Sequence, residues 1–146
     1  MKTLPNDIFF AYVESEIAAG KSVRFKVKGT SMFPLLRNEK DEVVLSPITS
    51  TPEKMDIVLF RFNGKHILHR IIEVKGDTYI IQGDGIYTFS EYCRMQDMVG
   101  VVTLLYKSGC KPISTSSGCY KFLSALWHKL RFCRRYLLAI FRRIYK

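Results

Sequence analysis

Apolar and polar residues alternate from Ser22 to Lys28, with Val23, Phe25 and Val27 on one face and Arg24, Lys26 and Lys28 on the other. That period predicts a half-buried strand, ended by the breakers in Gly29-Thr30-Ser31-Met32-Phe33-Pro34. Before it, Phe9, Phe10, Val13 and Ile17 recur at helical spacing, so residues 6–19 predict a helix that Gly20 stops. Further strands are expected over Glu42–Ser46, Asp56–Phe62, Lys65–Val74, Thr78–Gln82 and Met98–Tyr106. Asn63-Gly64 is a strong hairpin signal and pairs the third strand with the fourth. The body therefore reads as mainly β and antiparallel, with one N-terminal helix.

The pattern changes after Tyr106. Residues 108–118 are rich in Ser, Gly and Pro and read as a linker. From Tyr120 onward, Leu123, Leu126, Leu130, Cys133, Leu137, Ile140 and Ile144 are spaced alternately by three and four. They predict one continuous helix over 120–146, about 40 Å long, with a single apolar seam. The organisation expected is a body over 1–107, a linker over 108–118 and a helical tail over 119–146. No internal repeat appears.

Charge divides along the same line. The chain of 146 residues has a formal net charge of +10, from 23 Lys+Arg and 13 Asp+Glu. All 13 acids lie within residues 1–97, which also hold 13 of the bases, while residues 98–146 carry 10 bases and no acid. A neutral body thus precedes a basic tail. Lys121, Lys129, Arg131, Arg134, Arg135, Arg142 and Arg143, together with Trp127, make the tail a candidate for lying on an anionic membrane surface. Packing of the seam against the body is the competing expectation. A nucleic-acid partner is not expected, because no recognition motif accompanies the basic helix.

No run approaches the roughly 20 apolar residues of a spanning helix. The N-terminal apolar run is short and flanked by Asp7 and Glu14, which argues against a secretory signal. The expected location is the cytoplasm, peripheral on the inner face of its membrane. The four cysteines form no C-x-x-C pair and read as reduced thiols. His66 and His69 are three apart on a strand and point apart by the alternation rule, so neither a metal nor another cofactor is expected.

Three residues carry candidate chemistry. Ser31 sits at a strand-to-turn break, His69 lies between Ile67 and Ile71 on a strand face, and Asp84 lies in a Gly-Asp-Gly turn at the end of the neighbouring strand. A nucleophilic serine needs a base, and the base needs a group to orient it. A histidine on an apolar face stays neutral, which suits a general base. The same residues also read as a packed core histidine, a turn serine bonded to backbone and an ordinary turn aspartate.

The order of short motifs resembles the S24/S26 serine peptidase superfamily, which includes type I signal peptidases and LexA-like autoproteases. Gly29-Thr30-Ser31-Met32-Phe33-Pro34 resembles the nucleophile box. Asp41-Glu42-Val43-Val44 and Asp56-Ile57-Val58-Leu59-Phe60 resemble the two strands that follow. His69-Arg70-Ile71-Ile72, Gln82-Gly83-Asp84 and Val99-Gly100-Val101-Val102 resemble the base box, the Gly-Asp box and the closing strand. The resemblance implies a coiled, barrel-like β body in a small single-domain bacterial member. It implies Ser31 as nucleophile, His69 as base in place of the lysine common in bacterial enzymes, Asp84 as orienting acid, and a structural role for Arg70. Gly29, Thr30 and Met32 would form the oxyanion hole and substrate cleft. The implied function is a serine endopeptidase acting on a signal- or leader-like peptide. Met55 and Lys40 stand where the family usually has glycines, which motivates an alternative: a catalytically degenerate binding module recruited to a membrane or partner by its tail.

Overall fold

The computed structural model describes residues 6–86, 88–108 and 110–144, without the side chains of Arg131 and Phe132. Helix α1 covers Asn6–Ala18. Strands β1 (Val23–Lys26), β2 (Glu42–Ser46), β3 (Ile57–Phe62), β4 (Lys65–Lys75) and β5 (Thr78–Gln82) follow. After them come β6 (Glu91–Arg94), β7 (Met98–Tyr106), β8 (Ile113–Ser114), and helices α2 (Gly118–Lys129) and α3 (Arg134–Ile144). The strands form one antiparallel sheet in the order β1-β2-β7-β3-β4-β5-β6, with β8 paired to β7. The mainly-β expectation holds. The sheet is open, with β1 and β6 at its ends, so it does not close into a barrel.

Local chemistry explains most of these boundaries. Gly20 has φ +83° and ends α1 in the left-handed conformation that glycine adopts without steric cost. Asn63 and Gly64 both have positive φ, 50° and 75°, as a two-residue type I′ hairpin requires. This turn fixes the β3–β4 register, setting Val58 opposite His69 and Ile57 opposite Arg70. Strand β3 is covered on both faces. Ile57 and Leu59 join a core with Val13 and Ile17 of α1, while Val58 and Phe60 join a second core with Ile71, Ile81 and Met98.

Two expectations change beyond Tyr106. The segment read as a linker contains β8, and Thr115 donates its hydroxyl to the Val102 carbonyl at 3.2 Å. The tail is two helices, because a 3-10 turn over Leu130–Cys133 interrupts it; residues 145–146 lie outside the described residues. Ser117 caps α2 by accepting from the Tyr120 N–H. No helix among the described residues is long and apolar enough to cross a membrane.

Candidate active site

Ser31 and His69 border one cavity of about 600 Å³. Ser31 is placed by the turn after β1, where the Phe33 N–H donates to the Thr30 carbonyl and the Leu36 N–H to Met32. The Gly83-Asp84-Gly85 turn packs directly on this Ser31 turn, with the Gly85 N–H donating to the Ser31 carbonyl at 2.8 Å. A Cβ on Gly83 would lie 2.4 Å from the Ser31 carbonyl oxygen and 3.1 Å from His69 Nε2. A Cβ on Gly85 would lie 2.6 Å from the Thr30 carbonyl. Both glycines are therefore needed for close backbone approach, since neither has positive φ. Gly83 lies between the Ser31 turn and the imidazole, so the three share one small volume. No hydrogen bond joins the Ser31 hydroxyl to His69 among the described residues.

His69 is buried and its Nδ1 lies 3.1 Å from Glu91 Oε2, a carboxylate that is buried too. A carboxylate only accepts, so the shared proton sits on Nδ1 and Nε2 keeps its lone pair. Burial holds the His69 pKa below its ordinary 6.5, and the Glu91 charge opposes that shift only in part. The ring is thus a neutral imidazole with Nε2 on the Gly83 side.

Asp84, expected to orient the histidine, forms no hydrogen bond with it among the described residues. Its two oxygens accept from Arg70 Nε and Nη2 at 2.8 and 2.9 Å in a buried bidentate pair. His69 and Arg70 are consecutive on β4, so their side chains leave on opposite faces and meet different acids. Arg70 Nη1 also donates to the Met55 carbonyl at 2.9 Å and to the Tyr120 hydroxyl at 3.1 Å. Burial alone would lower the guanidinium pKa; the Asp84 charge outweighs it and holds the group above its ordinary value. The structural role expected of Arg70 is thus seen as a clamp joining β4, the Asp84 turn and α2.

The residues expected in the oxyanion hole and cleft are placed unequally. The Gly29 N–H already donates to Asn38 Oδ1 at 2.7 Å, so it is not available to an oxyanion in this arrangement. Neither Gly29 nor Thr30 borders the cavity, whereas Met32 does, with its side chain also in the core. Apolar side chains make much of the remaining wall, Phe9 and Phe10 from α1, Phe25 from β1, and Leu59 and Leu68 from the central hairpin, while Lys26 and Lys28 add charge to it. His66 also borders it, stacked on Phe10 at 4.7 Å with Nε2 3.0 Å from Glu14 Oε1. The alternation rule therefore does not keep the two histidines off one cavity, though separate carboxylates hold them. No group of three metal-binding side chains occurs among the described residues.

Glu91 is the residue that sequence reasoning missed. The charges of Glu91 and Arg94 mask the strand over Glu91–Arg94, in which Glu91 and Cys93 alternate with Tyr92 and Arg94. Counting cysteine as a small apolar residue reveals the period and puts Glu91 on the inner face. Burial pushes the Cys93 thiol up to about 12, so it is an inert packing group.

The tail residues split between two environments. Trp127 Nε1 donates to the Asp84 carbonyl at 2.9 Å. Arg134, expected on the membrane-facing side, is instead only 2% exposed and donates to Gln82 Oε1 at 3.0 Å. Lys121, Lys129, Arg135, Arg142 and Arg143 are exposed, and the Arg131 side chain lies outside the described residues. No protein-family model matches the chain, and no curated protein sequence matches it.

Proposed function

We propose that the protein is a serine endopeptidase in which Ser31 attacks a peptide carbonyl and His69 is the general base. The observation that carries this reading is the buried, neutral His69, tied through Nδ1 to Glu91, bordering the same cavity as Ser31. In this mechanism Nε2 takes the Ser31 hydroxyl proton as Oγ bonds to the carbonyl carbon. The imidazolium that forms is stabilised by the Glu91 carboxylate. Nε2 then returns the proton to the leaving amine as the C–N bond breaks, and water hydrolyses the acyl-enzyme by the same route. Catalytic hydrogen bonds often shorten only when substrate binds, which accommodates the open Ser31–His69 pair.

The ordered motifs from Gly29 to Val102 support membership of the S24/S26 peptidases, with Glu91 rather than Asp84 in the orienting role. The aromatic and aliphatic wall fits a peptide with a bulky apolar side chain close to the scissile bond. The test is digestion of a proteome-derived peptide library, read by mass spectrometry. Wild-type protein is expected to create new termini flanked by apolar residues, and Ser31→Ala none. Equal cleavage by Ser31→Ala overturns the proposal.

The absent Ser31–His69 hydrogen bond favours one second reading, a peptide-binding module on the same scaffold. It predicts that a peptide with apolar side chains binds wild type and Ser31→Ala with equal affinity and that neither cleaves it.

A further inference from the structure

The outward face of α2 and α3 is an exposed surface that the proposed peptidase chemistry leaves unused. The side chains turned to the body are Tyr120, Ser124, Trp127, Arg134 and Leu138. The apolar seam turns away from it. Phe122 is 66% exposed, Leu123 55%, Tyr136 70%, Ile140 54% and Ile144 65%, and Leu126 lies on the same side of α2 as Leu123. Large apolar side chains gathered on one exposed face mark an interaction surface. Packing against the body could have covered them, but the helices are anchored through polar groups on their other side.

The charge around this seam identifies its partner. Lys121, Lys129, Arg135, Arg142 and Arg143 are all exposed there, and no acid occurs anywhere from Met98 onward. Two copies meeting through the seam would bring these cations face to face with no carboxylate between them. A phosphate-rich lipid surface offers opposite charge together with an apolar layer for the leucines and aromatics. We infer that the outward face of α2 and α3 docks the protein on an anionic bilayer, with the apolar seam in the acyl boundary and the bases at the headgroups. The side chains that grip the body remain in place.

The test is co-sedimentation of the full chain with phosphatidylcholine vesicles containing or lacking phosphatidylglycerol, at low and high salt. Binding is expected only to the phosphatidylglycerol vesicles and is expected to weaken as salt rises. Two variants read the two components: Leu123→Ser with Leu126→Ser and Ile140→Ser, and Arg135→Gln with Arg142→Gln and Arg143→Gln. Each should lower the partition constant at least tenfold while the melting temperature and Ser31 reactivity stay at wild-type values. No binding to phosphatidylglycerol vesicles overturns the inference, as does binding that both folded variants retain. A dimer that the serine variant dissociates would assign the face to a second copy and also overturn it.

Discussion

Replacing Glu91 with glutamine separates the contributions of the two acids near His69. The Glu91 oxygen lies 3.1 Å from His69 Nδ1 with both groups buried. At an effective dielectric of about 20, that distance gives an attraction for the imidazolium of about 5 kcal/mol. At 1.36 kcal/mol per tenfold, about 5 kcal/mol sets a ceiling of roughly 10⁴ on the rate lost with the charge. Glutamine can also turn its amide NH2 toward Nδ1, which moves the proton to Nε2 and removes the base; loss of roughly 10²–10⁴ is expected. The assay is the rate of Ser31 phosphonylation by a fluorophosphonate, followed by intact mass, with Ser31→Ala as blank. The pH dependence gives a second reading. Burial lowers the His69 pKa and Glu91 partly restores it, so Glu91→Gln should move the acid limb of the rate to lower pH. A wild-type rate and an unmoved limb in Glu91→Gln, with reactivity lost in a folded Asp84→Asn, would return the orienting role to Asp84.

Further outcomes follow from the surroundings of the site. Gly83→Ala forces its methyl against the Ser31 carbonyl, where a Cβ would lie at 2.4 Å, and should slow labelling while costing about 1–3 kcal/mol in denaturant unfolding. Arg70→Met leaves the Asp84 carboxylate buried without its partner and should destabilise by about 3–5 kcal/mol; an unchanged unfolding midpoint would contradict the clamp. Burial alone would raise the Asp41 pKa, but hydrogen bonds from Arg37 and the nearby Lys107 hold it below 3.8. Its stabilising contribution is therefore complete above that value and lost as pH falls through the lower folded pKa. Asp41→Asn should flatten the acid side of the melting-temperature profile and leave a deficit of about 1–3 kcal/mol at neutral pH. Trp127 is the single tryptophan, so its fluorescence reports α2 docking directly, and Trp127→Phe should cost about 1 kcal/mol by losing the bond to the Asp84 carbonyl.

The strands that alternate cleanly were legible, as were the Asn63-Gly64 hairpin and the stop at Gly20, because local chemistry alone decides them. Strand β6 was hidden because its inner face carries a glutamate, and a charged residue in an alternating pattern reads as the solvent side. The pairing of acids with bases was not legible. Asp84 and Glu91 both follow β5, and only the direction of each β4 side chain decides which meets His69 and which Arg70. The tail pattern reveals a true amphipathic seam, but the structure leaves it exposed and buries other side chains of the same helices against the body. Polar anchors such as Trp127 Nε1 and the Arg134 guanidinium fix the helices to the body, and hydropathy does not register them. The break at Leu130–Cys133 has no signature among the apolar spacings, which run through it unbroken.

The Arg70 clamp also constrains how the chain can be dissected. One guanidinium joins the His69 strand, the turn packed on Ser31 and the first turn of α2 through Tyr120. Cutting the chain before α2 would open this buried ion pair to water and release the turn that holds Ser31 in place. Loss of reactivity in a tail deletion would then report a collapsed site rather than a lost address. Point changes on the outer helix faces leave these links intact, because Tyr120, Trp127 and Arg134 make them from the inner faces.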